Sequence, residues 1–469
     1  MFQRTLIATA IALAFAGPAP AQDAELAKIR EEIRQMKEGY ERRIEALEKR
    51  LAEAEKAGAA PAPAPTPAAA AATAPSHPGR PTGENAFNPA VSLILQGTYA
   101  STSQDPNNHQ ITGFIPSGGE VGPPKRSFGL AETELNFSAN IDPYFRGVTI
   151  AALTPENEVE VEEAYFQTLA LPRGLTLKGG RFLSGIGYQN EIHQHAWDFQ
   201  DAPLPYKAFL GGRLRQDGLQ LRWLAPTPLF FELGAEISSG DQFPGSDRNK
   251  NGVGGSALFG HLGGDIGTDY AWRTGLSYLR TSPSDRVYED TDSLGNPVTN
   301  SFTGRARLWV ADAVLKWAPN GNSSRTYLKL QGEYFRSLQN GALSYDDTAA
   351  GGPFGLLSDS FESKQSGWYA QGIWQFMPRW RVGYRYDTLR HGTISNGIVT
   401  NGLGPTAADF PLLASHSPTR NTGMLDWSLT EFSRLRLQLV SDKSHLGVTD
   451  RQIILQYLHS LGAHGAHKF

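Results

Sequence analysis

Ala131-Glu-Thr-Glu-Leu-Asn-Phe-Ser-Ala-Asn-Ile141 alternates without a break. Ala131, Thr133, Leu135, Phe137, Ala139 and Ile141 share one face of an extended chain, and Glu132, Glu134, Asn136, Ser138 and Asn140 share the other. Successive side chains of a strand point to opposite sides, so the spacing predicts a strand with one apolar and one polar face. The pattern returns over 229–238, where Leu229, Phe231, Leu233, Ala235 and Ile237 oppose Glu232, Gly234, Glu236 and Ser238. It returns again over 380–387, with Trp380, Val382, Tyr384 and Tyr386 against Arg381, Gly383, Arg385 and Asp387. A soluble sandwich turns the apolar face inward. A transmembrane barrel turns it to lipid and keeps the polar face for a wet lumen. Periodicity does not separate the two.

The connections do. Short ones recur at 142–144, 172–174, 225–228, 267–269, 319–322, 377–379 and 430–432. Long polar ones lie near 105–126, 187–212, 240–254, 282–300, 340–362 and 391–418. Tight turns at one end and long loops at the other are the asymmetry of an outer-membrane barrel. Tyr144, Phe145, Trp223, Phe230, Trp317, Phe376, Trp380 and Phe432 cluster beside the short turns, as an interfacial girdle would. The predicted fold is therefore all-β, a transmembrane antiparallel barrel of about 16 strands, with twelve or fourteen as the alternatives. The expected spans are 90–104, 127–141, 145–154, 158–171, 175–187, 214–225, 228–240, 255–266, 268–281, 301–318, 324–338, 364–377, 380–391, 417–429, 433–442 and 449–469. Thr154-Pro-Glu-Asn157 is the one short turn expected at the outer end.

Ahead of the barrel (87–469) three other regimes are expected. Residues 1–21 read as a secretory signal peptide: Arg4 in a short basic start, an apolar run from Leu6 to Ala16, and a small-x-small site at Ala19-Pro-Ala21. Residues 22–57 carry apolar positions at Leu26, Ile29, Ile33, Met36, Tyr40, Ile44, Leu47, Leu51 and Ala54 among many charges. That spacing predicts a short α-helical coiled coil in the periplasm, with a stutter at Tyr40–Ile44, and its isoleucines favour three or more strands. A lone amphipathic helix packed on the barrel is the alternative. Residues 58–86 form an Ala/Pro-rich linker too poor in large apolar groups to fold, and are expected to be disordered. The mature chain has no apolar run long enough for a transmembrane helix, and no cysteine for a disulfide or thiolate site. A net charge of −4 argues against nucleic acid as a partner.

The last segment, Arg451-Gln-Ile-Ile-Leu-Gln-Tyr-Leu-His-Ser-Leu-Gly-Ala-His-Gly-Ala-His-Lys-Phe469, puts Leu455, Tyr457, Leu461, Ala463 and Phe469 on one face. An alternating strand closed by an aromatic residue resembles the C-terminus of bacterial outer-membrane barrels. That resemblance implies insertion by the barrel-assembly machinery into a Gram-negative outer membrane. Phe87-Asn-Pro-Ala-Val-Ser-Leu-Ile-Leu-Gln-Gly-Thr-Tyr99, Asn140-Ile-Asp-Pro-Tyr-Phe-Arg146, Pro155-Glu-Asn-Glu-Val-Glu-Val-Glu-Glu-Ala-Tyr165 and Gly180-Arg-Phe-Leu-Ser-Gly-Ile-Gly187 carry a further resemblance. With the signal peptide, coiled coil and linker they resemble the superfamily of the phosphate-selective porins O and P, in a branch often labelled zinc-regulated outer-membrane receptors. The resemblance implies a porin in outer-membrane lipid passing small hydrophilic solutes or ions, and a homotrimer. The family's dense arginine and lysine ladder is only partly present, so phosphate selectivity is not implied.

No nucleophile elbow, His-Glu-x-x-His or phosphate loop occurs, so neither an enzyme nor a cofactor is expected. Alternation turns Glu132, Glu134, Glu160, Glu162, Glu232 and Glu236 inward on early strands, and Arg381, Arg385, Arg434, Arg436, Lys316 and Lys329 inward on late ones. A lumen polarised in this way tunes ion selectivity. In general porins the third outer loop folds inward and narrows the pore, and the resemblance implies the same for 188–212. Its acids would face the arginines across a polarised eyelet. It carries His193, His195 and Asp198, donors that could hold a divalent metal such as zinc, or that could simply pack on the wall beside Trp197, Phe199 and Tyr206. Two other functions remain open: a structural barrel tethering the envelope to peptidoglycan or a periplasmic partner through its stalk, and divalent-metal uptake.

Overall fold

The computed structural model describes residues 89–118 and 121–462. The expected signal peptide, coiled coil and linker, and the terminal Phe469, lie outside the described residues. The described chain is one antiparallel sheet of eighteen segments, in which two staves are each interrupted, leaving sixteen staves. These are β1 (Ala90–Thr102), β2 (Ser127–Leu130 and Thr133–Asn140), β3 (Phe145–Leu153), β4 (Val159–Thr168), β5 (Leu175–Leu183), β6 (Arg215–Leu224), β7 (Phe230–Ser238) and β8 (Gly255–Ile266). The rest are β9 (Tyr270–Thr281, continued as Arg286–Thr291), β10 (Pro297–Trp317), β11 (Tyr327–Asp346), β12 (Leu356–Met377), β13 (Trp380–Asn396), β14 (Thr419–Thr430), β15 (Ser433–Asp442) and β16 (Asp450–Gly462). Each pairs with the next, and β16 returns to β1 from Ser92↔Gly462 to Thr102↔Gln452. The ring is closed, so no row of backbone donors and acceptors faces lipid unpaired.

The wall has the polarity that alternation predicts. Val91, Leu95, Phe137, Leu233, Val382, Leu437, Leu455 and Tyr457 point outward and are exposed. An apolar belt of this extent is stable only against hydrocarbon. Tyr144, Phe145, Phe230, Phe376 and Phe432 stand exposed at the short-turn end, where Trp380 and Trp427 stack at a 13° interplanar angle. Among the described residues no helix is long and apolar enough to cross a membrane. The crossing is made by strands.

Each of the sixteen expected spans overlaps one stave, and Thr154–Glu158 is the tight outer turn between β3 and β4. The correction lies in the upper hairpins. Residues 282–300 and 340–362, expected as loops, are largely strand: β10 begins at Pro297, β11 runs to Asp346 and β12 starts at Leu356. The reason is an inversion of face. On β12 the outward residues are Trp368, Trp374 and Phe376 in the belt but Ser358, Ser360, Glu362 and Lys364 above it. The inward residues change the opposite way, from Gln371 and Gln375 to Phe361. Exposed Arg280, Arg305, Arg307, Arg336 and Arg390 stand in adjoining rows on the outer face. Above that boundary the hairpins leave lipid and behave as a soluble sheet. Tyr288, Val298, Phe302, Leu343, Tyr345 and Phe361 form a second apolar core there with Ile115, Ile398, Phe410 and Leu413 from the long loops.

The belt makes a graded prediction. Leu455→Arg, near the middle of β16, should cost about 2–4 kcal/mol of folding free energy in bilayers, and Leu461→Arg, near the rim, about 0–1 kcal/mol. Reversible urea titration into phospholipid vesicles measures both. Equal costs at the two positions would contradict the lipid-facing assignment.

Candidate functional site

The chain between β5 and β6 turns into the barrel instead of away from it. Its start is fastened to β7, where Ser184 Oγ and Gly185 N donate to Glu236 at 2.6 and 2.8 Å. Asn190 closes the segment on itself: Nδ2 donates to Ser184 O and Leu214 O, and Oδ1 accepts from Leu214 N at 2.7 Å. Gly187 has φ +67, and a Cβ there would run into Glu333 Oε2 and Tyr206 Oη, so this turn requires glycine. Glu333 of β11 then accepts from Tyr188 N, Gln189 N, Tyr206 Oη and Tyr369 Oη at 2.6–3.1 Å.

Farther on lies α1, Leu204–Leu210, all seven residues of it buried. Leu204, Tyr206, Phe209 and Leu210 pack with Phe335, Tyr369 and Leu389 of the far wall, with Tyr206 edge-on to Phe335 at 5.0 Å. Apart from Lys207 the helix is apolar, and such a helix is stable only inside a core. Gly211 ends it in the left-handed conformation, φ 64.

Between these anchors the segment meets two walls of opposite charge. Its aspartates meet the basic wall. Asp198 pairs with Lys329 of β11 at 2.8 Å and Arg381 of β13 at 3.3 Å. Asp201 pairs with Lys207 of α1 at 2.8 Å, with Arg385 of β13 at 3.1 Å and with Arg420 of β14. Asp387 holds Arg385 at 3.1 Å and accepts from Leu204 N, while Asp426 joins Arg381 to Arg436. Arg434 Nη2 and Arg436 Nη2 donate to the carbonyls of His195 and Trp197. Burial disfavours the Asp198 carboxylate, but Lys329 and Arg381 outweigh it and hold the group down at about 2.

Its histidines meet the acidic wall. His195 Nδ1 lies 2.7 Å from Glu134 Oε1. His193 Nε2 lies 2.9 Å from Glu163 Oε2, and its Nδ1 lies 3.3 Å from Glu162 Oε2 and 3.5 Å from Glu134 Oε2. Arg213, at the segment's end, pairs with Glu162 and reaches Glu132 at 3.6 Å. Burial works against the His193 imidazolium, but Glu134 and Glu163 outweigh it and lift the group to about 9.

Glu163 is the residue that alternation misplaced. Strict period two turns it to lipid beside an inward Glu162. In the structure Ile150 pairs with Glu163 and Ala151 pairs with Val161, so Glu162 is the extra residue of a β-bulge. The bulge brings both carboxylates to the interior. Two adjacent glutamates in an otherwise alternating strand were the available signal. Arg420 and Asp426 were also not singled out, although each lies on an inward position, and Asp387 was placed on the polar face of its strand without a role.

The expected residues separate as follows. Arg385 and Arg436 are shut off from solvent in ion pairs, and Arg381 and Arg434 remain partly accessible. Glu134 and Glu236 are buried as anchors of the segment, Glu132 reaches Arg213, and Glu232 lies between His261 at 3.1 Å and Arg222 at 3.4 Å. The loop's acids therefore touch the arginines directly instead of facing them across an open eyelet. His193 and His195 come together, with rings stacked at 5.8 Å, but Asp198 is taken up by the opposite wall. The only His/acid group among the described residues whose donor atoms converge closely enough to hold an ion is Glu134, Glu162 and His193.

No model of a known protein family matches the chain. It is 31% identical over 430 residues to an uncharacterized protein of Aquifex aeolicus (strain VF5), covering 83% of this chain and 81% of that protein. Among solved structures it is similar to a loop-deletion mutant of OmpT, an outer membrane protein of Vibrio cholerae, with TM-score 0.49 and 9% identity over 80% of this chain and 100% of that one. It is also similar to the outer membrane channel DcaP of Acinetobacter baumannii, with TM-score 0.48 and 11% identity over 81% of this chain and 99% of that one. OprB of Pseudomonas putida matches with TM-score 0.47 and 14% identity over 80% of this chain and 94% of that one.

Removing one partner from a buried ion cluster leaves the other charges uncompensated, at about 3–5 kcal/mol. Asp201→Ala should therefore release the middle of the segment, with amide exchange over 198–210 accelerating while exchange in β13 and β14 changes little. Unchanged protection of 198–210 would show that α1 packing alone holds the segment.

Proposed function

The chain belongs to one family with the uncharacterized Aquifex aeolicus protein, and for this closed, lipid-facing barrel we propose the role of an outer-membrane channel for passive diffusion of small hydrophilic solutes or ions. One observation carries the reading. A closed wall with an apolar exterior and a polar interior is crossed by a segment docked through charge on both sides. Sixteen strands enclose an aqueous space unless something fills it. Here residues 184–214 are the filler, so the flow through the barrel is set by how firmly they are held.

The charge arrangement supports a gate more than a static selectivity ring. Aspartates against arginines and histidines against glutamates hold the segment at both ends, and each contact is lost once the segment leaves. Arg381 and Arg434 keep some contact with water and act on passing ions. Arg385 and Arg436 act by docking. In the same reading the chain enters the outer membrane through the barrel-assembly machinery, the coiled coil of 22–57 stands in the periplasm on the linker of 58–86, and three copies associate through its isoleucine seam. Mass photometry of detergent-extracted protein should give the trimer, and a monomer alone would refute it.

Planar-bilayer recording tests the channel. Deleting 190–205 should raise single-channel conductance severalfold. Neutralising Arg381 and Arg434 together should move the reversal potential toward cation preference. Unaltered conductance in the deletion would favour a closed structural barrel.

A further inference from the structure

The geometry points to a divalent-cation site, of the zinc class that takes mixed nitrogen and oxygen donors, built from Glu134 of β2, Glu162 of β4 and His193 of the inward segment.

The first ground is distance. Glu134, Glu162 and His193 each offer one donor atom, and these lie within 4.8 Å of one another. From His193 Nδ1, Glu134 Oε2 stands at 3.5 Å and Glu162 Oε2 at 3.3 Å. A charge-assisted hydrogen bond between such groups is shorter, about 2.7–2.9 Å. A tetrahedral ion with donors at about 2.0–2.2 Å has edges of about 3.3–3.6 Å. The two separations are long for hydrogen bonds and right for edges of a coordination shell.

The second ground is what holds the other atom of each donor group. His193 Nε2 is 2.9 Å from Glu163 Oε2. A ring nitrogen that donates to a carboxylate leaves the opposite nitrogen aimed at the ion, the arrangement that orients metal-binding histidines generally. Glu134 Oε1 is held by His195 Nδ1 at 2.7 Å, and Glu162 Oε1 by Arg213. Each of the three groups is thus fastened by its outer atom, and the three inner atoms converge. Beside them Glu132 Oε1 is buried and makes no hydrogen bond, with Arg213 3.6 Å away.

The scaffold explains how donors from separate elements meet. Ala152 of β3 lies between the strands, paired with Glu134 on one side and Glu160 on the other. The bulge supplies Glu162 as donor and Glu163 as the support of His193. Binding replaces the proton on His193 Nδ1, which leaves to solvent. Two carboxylates then neutralise the ion, and no oxidation or reduction occurs. A cation held here ties the segment to the acidic wall.

Full-length protein folded in detergent, with its heat-modifiable gel shift confirming the barrel, can be dialysed against Zn2+ and separately against Co2+. We expect one ion per chain, with a visible Co2+ spectrum of low coordination number. Glu162→Gln and His193→Gln should abolish stoichiometric retention. Glu163→Gln should weaken binding about 10–100-fold while keeping the stoichiometry. His416→Gln, outside the cluster, serves as the histidine control and should bind like the native chain. Equal retention by native, Glu162→Gln and His193→Gln proteins, or no ion held by the folded native barrel, would overturn the site. Because the readout is binding and not conductance, its failure leaves the channel reading standing, and the reverse also holds.

Discussion

Backbone satisfaction in lipid is the constraint on which the rest of this structure depends. Hydrocarbon offers no partner for a peptide N–H or C=O, so a spanning sheet must close. The seam between β16 and β1 meets that demand with eleven consecutive register pairs, from Ser92↔Gly462 to Thr102↔Gln452. Closure then divides every stave into a face that touches lipid and a face that does not. The inner face is free to carry charge because closure keeps it out of the hydrocarbon.

That freedom is used asymmetrically. The carboxylates of β2 and β4 and the guanidinium groups of β13 to β15 lie on different arcs of the wall, and one segment of about thirty residues presents histidines to the first and aspartates to the second. Buried ion pairs contribute little net stability against an apolar replacement, but they are selective in position. Glu333 and Asp387 of the wall accept backbone donors from the segment, and Asp201 of the segment accepts from Arg385, Arg420 and Gln438 of the wall, so the docked geometry is specified more sharply than apolar packing around α1 alone would allow. A segment held by paired charges can let go as a unit, which suits a gate.

The two departures from regular alternation have different physical origins. In the upper hairpins the solvent changes from lipid to water, so the pairing persists while the polarity of the faces reverses, and Phe361 turns inward where Gln371 does below it. In β4 the solvent is unchanged but one residue is added, so Glu162 and Glu163 both reach the interior. The first places an apolar core above the belt. The second gives the acidic wall a carboxylate that His193 needs on its far nitrogen.

Sixteen staves, their order and the sides taken by Glu134, Glu236, Arg381 and Arg436 were determined by the sequence by itself, because period-two patterning and turn length are local properties that survive without knowledge of neighbours. The inward course of the third loop was implied only by the resemblance to porins. The tertiary structure alone decided which charges meet. Leu204 and Asp387 are 183 positions apart, and Arg434 and His195 are 239 apart, so no spacing rule relates them. It likewise decided that Asp198 belongs with Lys329 and not with His193, and that Glu163 faces inward. Ring closure sets which arcs of the wall oppose each other, and a bulge shifts register by one. Neither leaves a periodic trace in the chain.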